Sequence, residues 1–187
     1  SWLNNKCPKP TKPEIETIEN LFIAKDVQLR KVAERKYSYY KVYKESEFEE
    51  AAIAYAAAAA NAKPTAESYF LLGSYYHNDN PILSLSSLIT VKELDPNYKK
   101  EELTNKIKES EDDVAYDINF AIRDNDVEYL NAILQAGLDK LIKVDGKSIL
   151  SLAIAKDKPD AVQSILNNYI KDLPSEKVTS KVQKTLM

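Results

Sequence analysis

The chain has 187 residues, of which 44% are hydrophobic and 29% are charged, a composition that is ordinary for a globular protein. The formal net charge of -3 and the pI near 5.4 give no support to nucleic acid as a partner. A single cysteine, Cys7, excludes an internal disulfide framework. No apolar run reaches the roughly 18 residues of a membrane span, so we expect no direct membrane insertion by these residues.

The first twelve residues carry Pro8 and Pro10 among lysine, asparagine and threonine, without an apolar period. This pattern predicts a flexible leader at residues 1–12. Thr11 followed by Pro13 and acidic residues is typical of a helix start. Because the chain begins with serine, we expect a fragment or a processed product, and an upstream anchor is left open.

Apolar residues at helical spacing continue through most of the remaining chain. Ser46 and Glu49 form a capping-box pattern, and Thr65 is expected to cap the next helix. The acidic run at residues 109–113 indicates a boundary, which divides a helical domain at 13–111 from a second one at 112–187. The predicted helices cover residues 33–45, 46–63, 66–77, 82–93, 98–111, 114–123, 126–135, 148–156 and 159–169, and Pro174 begins a last amphipathic segment.

The three glycines fall where helical hairpins need them. Gly73 lies inside a helical run, where a small residue lets a second helix approach closely. Gly137 follows a helical run, at the position where a left-handed C-cap favours glycine. Gly146 lies in a turn just before another helix start. So few glycines leave no residues for a phosphate-binding loop.

In the first half, residues 69–76 carry a Leu-Gly-x-x-Tyr core, and a Leu-Asp-Pro-Asn sequence at residues 94–97 follows. A weaker preceding unit ends at Pro64. This half resembles the tetratricopeptide repeat, a helical hairpin that recurs at about 34 residues with a closing proline. Two positions depart from the pattern, because Ser84 replaces the usual alanine and Tyr40 replaces the expected small residue.

In the second half, residues 145–154 read Asp-Gly-Lys-Ser-Ile-Leu-Ser-Leu-Ala-Ile. They resemble the segment of the ankyrin repeat that contains its turn and first helix. A preceding unit begins with Ile-Asn-Phe-Ala at residues 118–121. Ser151 and Asn119 replace the usual histidine, and Ile149 replaces the usual proline.

Both resemblances imply an all-α fold of stacked helical hairpins, an α-solenoid with a tetratricopeptide-like array followed by ankyrin-like repeats. One hairpin cannot bury its own apolar face, so neighbouring hairpins stack to form a continuous core. Fewer than three units of each kind are visible in the sequence. The flanking helices must therefore cap the stacks, or the two halves must pack together.

The resemblances also imply which residues contact a partner. In tetratricopeptide proteins the first helix of each unit lines a concave groove, and in ankyrin proteins the turn tips and first helices bind. The expected partner-binding residues are Tyr37, Lys41, Lys44, Phe70, Ser74 and His77 in the first half, and Arg123, Asp124, Asp145, Lys147 and Lys156 in the second.

The sequence contains no recognisable catalytic constellation. The only histidine, His77, has no nucleophile motif beside it, and Cys7 has no partners for thiol chemistry. The clustered acids are most simply solvated helix starts and a linker. We therefore expect no enzyme activity, no cofactor and no metal site.

These observations favour a non-catalytic adaptor or scaffold that binds a protein or peptide through repeat surfaces. Two alternatives stay open: a membrane-tethered extracytoplasmic assembly factor, or the helical regulatory part of a larger enzyme. Partner identity and oligomeric state do not follow from the sequence. A cytoplasmic location is slightly favoured over a tethered one.

Overall fold

The computed structural model describes residues 26–77 and 79–171. Four features of the sequence analysis lie outside these described residues: the predicted leader at residues 1–12, Cys7, the helix start near Pro13 and the segment that begins at Pro174.

Within the described ranges the chain is all-α, with eight α-helices, one 3-10 turn at Leu138–Lys140 and no extended strand. Consecutive helices pack side by side as hairpins, α1 on α2 and α3 on α4, and the α6 and α8 helices also pack together. The predicted fold class, all-α with stacked helical hairpins, is confirmed. The helices are α1 Asp26–Tyr43, α2 Ser46–Ala62, α3 Ala66–Tyr76, α4 Pro81–Leu94, α5 Lys100–Asp124, α6 Val127–Gln135, α7 Ile149–Ala155 and α8 Pro159–Lys171.

Several helices begin at a side-chain cap. The Thr65 hydroxyl oxygen accepts a hydrogen bond from the Ser68 backbone N–H at 3.3 Å, as predicted. Asn80 caps α4 through Leu83 N–H at 3.0 Å, and Ser148 caps α7 in the same way. Each cap satisfies a backbone donor that the first helical turn leaves without a partner.

The predicted capping box at the start of α2 is wrong. Ser46 is already the first helical residue, and Glu45 occupies the N-cap without a side-chain cap bond. Ser46 is therefore one position too far along the chain for its hydroxyl to act as the N-cap acceptor.

The close approach predicted at Gly73 is confirmed, and it joins α3 to α4. A Cβ atom on Gly73 would lie 2.8 Å from Leu88 Cγ, which is closer than side chains tolerate. The buried Ser84 hydroxyl donates to the Gly73 carbonyl oxygen at 2.7 Å. Its oxygen also lies 3.1 Å from the hydroxyl oxygen of Ser110, which belongs to α5. Hydroxyl hydrogen bonds thus accompany the close packing of these three helices.

The helical break predicted near residues 109–113 is wrong, because α5 runs without interruption for 25 residues. Leu103, Ser110, Val114 and Ile118 lie on its buried face. The acidic residues between them are exposed or half-buried, so the helix accommodates the charge run without breaking. The domain division at residue 111 falls inside this helix and stays a prediction.

The largest apolar cluster spans α4 to α8. Ile82 and Leu85 of α4 pack in one cluster with Ile118, Ile133 and Ile165 from later helices. A second cluster fills the space among α1, α2 and α3, where small alanines such as Ala52 and Ala56 are fully buried. Small side chains let helix axes approach closely, as the alanine run of α2 suggests.

The two remaining glycines both have positive φ, which was predicted for Gly137, and Gly146 lies in the predicted turn. Gly137 follows α6 with φ 70°, and its N–H donates to the Leu134 carbonyl oxygen at 3.0 Å. Asp145 and Gly146 both have positive φ, at 51° and 74°. They form a tight turn closed by two reciprocal backbone hydrogen bonds of 3.0 Å between Val144 and Lys147.

The two C-terminal hairpins are formed by α5 with α6 and by α7 with α8. Their first helices, α5 and α7, end in the same way. Asn125 after α5 and Asp157 after α7 both adopt positive φ, and each following residue donates back to an alanine carbonyl. Their outer faces differ, however. Ile122 of α5 is 0% exposed, whereas Ile154, at the matching position of α7, is 60% exposed. Later helices cover the first hairpin, while no described helix covers the corresponding face of the second.

Candidate partner-binding surfaces

The first predicted groove residues lie on the last turns of α1. The ring of Tyr37 stacks on Tyr75 of α3, with centroids 4.2 Å apart. The ammonium nitrogen of Lys41 lies 5.1 Å from the Tyr37 ring centroid. Lys44 follows the helix with φ 57°, and its ammonium lies 5.4 Å from the ring of Tyr40. The structure therefore brings Tyr37 and Lys41 together, while Lys44 contacts a different ring.

The predicted role of Phe70 in the groove is wrong. Its side chain is 3% exposed and packs with Leu88, Val91 and Leu103. The turn after α4 folds over it, so that the Tyr98 ring meets Phe70 edge-on at 5.5 Å between centroids. Phe70 is a core residue because a segment distant in sequence covers it.

The other two predicted residues of α3 are half-buried. Among the described residues, the Ser74 hydroxyl oxygen is enclosed without a hydrogen-bond partner. His77 follows the last turn of α3 in a right-handed helical conformation. Neither side chain joins the cluster of Tyr37 and Lys41 through any contact observed in the described ranges.

Burial changes the proton affinity of several tyrosines in this fold. Burial raises the pKa of Tyr75, and the nearby Glu34 carboxylate adds to the shift. Burial also raises the pKa of Tyr129, whose hydroxyl donates to Asp117 Oδ2 at 2.9 Å. In α8, burial together with the Asp139 carboxylate raises the pKa of Tyr169 to about 12. Each shift favours the neutral phenol, so these hydroxyls stay protonated at neutral pH.

We expect the protein to lose stability as the pH rises from about 10 to about 12. In that window the unfolded state has released the Tyr169 proton, while the native state still holds it, so the slope of unfolding free energy with pH is negative. Urea titrations across this range, paired with tyrosinate absorbance, measure the effect. Tyr169→Phe should make the slope less steep, and the raised pKa values of Tyr75 and Tyr129 account for the remainder. A wild-type slope of zero in this window would contradict the assignment.

The predicted residues of the second half are all exposed. Arg123 and Asp124 form a two-point ion pair at the end of α5, with distances of 2.6 and 2.8 Å. This hydrogen bonding lowers the pKa of Asp124 and raises the pKa of Arg123. Asp145 and Lys147 flank the tight turn at Gly146, and Lys156 follows α7.

An aromatic row on α5, formed by Tyr116, Phe120 and Arg123, was missed by the sequence reasoning. The centroids of the Tyr116 and Phe120 rings lie 4.6 Å apart. The central carbon of the Arg123 guanidinium lies 4.2 Å from the Phe120 centroid. Tyr116 is 64% exposed. The signal was present inside the predicted helix at 114–123, since positions four and seven residues apart share one helix face.

Acidic side chains extend the same face of α5 toward its middle. Glu109, Asp112 and Asp113 are exposed and lie seven, four and three positions before Tyr116. Within residues 26–77 and 79–171, none of these three carboxylates takes part in an ion pair. The face therefore combines exposed aromatic surface with three carboxylates that form no direct ion pair with a described cation.

A polar groove of about 600 Å³ lies between α6 and α8. Asn131 Oδ1 accepts hydrogen bonds from the Ser164 hydroxyl at 2.7 Å and from Asn168 Nδ2 at 2.9 Å. The amides of Gln163 and Asn167 bond to each other at 2.8 Å. These contacts hold the side chains of the groove together and offer no general acid or base beside a nucleophile.

In the described part of the chain, no group of three histidine, cysteine or acidic side chains is arranged to hold a metal ion. None of the helices there combines the length and the apolar character that crossing a bilayer demands. Comparison with known protein families, with curated proteins and with solved structures found no match to this chain.

Proposed function

We propose that this chain is a non-catalytic protein-interaction module, an adaptor or scaffold that binds a polypeptide through the exposed faces of its stacked hairpins. In this proposal the first half is a tetratricopeptide-like array and the second half is an ankyrin-like array. The stacking of hairpins supports the proposal, since such arrays present long ridged surfaces.

The aromatic row carries the proposal. Tyrosine and arginine are among the side chains most enriched at the positions that dominate binding energy in protein interfaces. Tyr116 is 64% exposed although it contacts Phe120, so a large part of its ring faces solvent. Arg123 is held against Phe120 by stacking and by its two bonds to Asp124. A partner would therefore meet side chains whose rotamers are already restricted, which lowers the entropy cost of binding.

We propose that the predicted residues of the second half belong to the same surface as the row. Arg123 is part of the row, and Asp124 fixes its guanidinium. Asp145, Lys147 and Lys156 lie on the turn and helix end of the following hairpin, where ankyrin-like arrays contact their partners. The pair of Tyr37 and Lys41 is proposed as a second contact on the tetratricopeptide-like half.

A photo-crosslinking amino acid placed at position 116 tests the proposal in native cells. We expect it to capture a discrete polypeptide partner, and the same group at Val27, which is 45% exposed in the first turn of α1 and ten positions before Tyr37, not to capture it. Tyr116→Ala should then weaken binding of the purified partner by about tenfold, the loss of one dominant interface side chain.

Equal capture at positions 27 and 116, or an unchanged affinity of the Tyr116→Ala variant for that partner, would reject the aromatic row as the binding surface. Circular dichroism of both substituted proteins controls for folding.

A further inference from the structure

We infer that the partner segment seated on the aromatic row is basic and carries arginine or lysine side chains. This inference rests on the proposed function and names the chemistry of its partner. It follows from the charge around the row, from the exposed ring of Tyr116 and from the internal contact that the row already makes.

The charge on this face of α5 is negative. Residues 109–117 contain five acidic side chains and no lysine or arginine. Asp117 accepts the Tyr129 hydroxyl and Glu111 is half-buried, whereas Glu109, Asp112 and Asp113 are exposed. None of these three is paired with a cation in the two described ranges. An anionic partner such as nucleic acid would be repelled, whereas a basic segment gains from each carboxylate.

The positive charge of Arg123 does not offset the negative charge of these carboxylates toward a bound partner. Its guanidinium donates two hydrogen bonds to the Asp124 carboxylate, so that the pair is neutral as a unit. The negative carboxylates toward the middle of the helix therefore dominate the potential beside Tyr116.

The internal contact between Arg123 and Phe120 shows the geometry that a partner's cation would adopt. A guanidinium lies 4.2 Å from the centroid of the Phe120 ring, within the range of cation–π attraction. Tyr116 offers a second ring next to it, mostly exposed and with no cation of this chain over it in the described residues. A partner's arginine or lysine on Tyr116 would also lie within about one helical turn of Asp112 and Asp113.

Fluorescence anisotropy with a labelled nona-arginine peptide tests the inference on the full chain. We expect binding that weakens about tenfold in Asp112→Asn/Asp113→Asn, since each carboxylate contributes a partly screened ion pair. Tyr116→Ala should weaken it about threefold through loss of the ring face, and Tyr116→Phe should restore it. A labelled oligoglutamate peptide of equal length should not bind.

A matched control separates a specific site from general attraction to an acidic protein. Glu47→Gln/Glu50→Gln removes the same charge from exposed positions on α2. We expect an effect of less than about twofold for this control, because charges away from the site are screened. An equal loss in control and test variants, or no binding of nona-arginine to the wild type, overturns the inference.

The failure of this inference is distinguishable from failure of the proposed function. A partner captured at position 116 whose affinity is the same for wild type and Asp112→Asn/Asp113→Asn, and independent of salt, leaves the interaction module standing and refutes the basic segment. The absence of any captured partner instead refutes the aromatic row as a binding surface, and with it the proposed function that the row carries.

Discussion

Replacing Asp112 with proline is expected to lower the free energy of unfolding by about 3 kcal/mol or more. Asp112 lies in the middle of the 25-residue α5, where proline removes a backbone donor and clashes with the preceding turn. Leu103 on one side of it and Val114 on the other are both buried, so a kink disturbs packing in both directions. Urea denaturation followed by far-ultraviolet circular dichroism measures the loss.

Two further substitutions at the same position make the test quantitative. Asp112→Ala keeps the helix and should change stability by less than about 0.5 kcal/mol, as is usual for an exposed site. Asp112→Gly should be about 1 kcal/mol less stable than the alanine variant, the ordinary helix penalty of glycine relative to alanine. A proline variant as stable as the alanine variant would show that residues 109–113 act as a linker, as the acidic composition first indicated.

Replacing Gly73 with alanine is expected to destabilise the fold by about 1–3 kcal/mol, although the same change stabilises most helices. The new Cβ atom would lie 2.8 Å from Leu88 Cγ and 2.9 Å from Leu88 Cδ2. It would also lie 3.1 Å from the Ser84 carbonyl oxygen, which belongs to the α4 backbone and cannot rotate away. The helix propensity gain of about 1 kcal/mol is therefore outweighed by the clash.

A double-mutant cycle with Leu88→Ala isolates the contact. Leu88→Ala alone should cost about 2–5 kcal/mol, because it leaves a cavity at a site that is 1% exposed. In the double variant the methyl group introduced at position 73 occupies part of that cavity. We expect the two losses to fall short of additivity by about 1 kcal/mol or more. Strict additivity would show that Gly73 does not limit the distance between α3 and α4.

Local chemistry made many helix boundaries predictable. Thr65 caps α3, Gly137 follows α6 with positive φ, and Gly146 lies in the turn before α7, as their neighbours in sequence indicated. Such features depend on a side chain and a backbone group within four residues, so a sequence contains them completely. The prediction that Ser46 is the N-cap of α2 was wrong by one position, which is enough to remove the cap hydrogen bond.

The acidic run in α5 was misread for a different reason. Its composition is typical of a linker, and the charges concealed the apolar positions around them. Ser110 and Val114 nevertheless keep the spacing of four residues that places both on the buried face. Reading the period through the charged residues would have joined the two predicted helices.

The sequence by itself determined that the chain is helical, where many of its helices begin and end, and that they form hairpins. Only the tertiary structure decided which faces are covered. Phe70 is buried because the turn at Tyr98 folds over it, and Ile122 is buried where Ile154, in the matching position, is exposed. Exposure depends on which distant segment packs against a helix face. The neighbouring residues in the sequence do not indicate that contact.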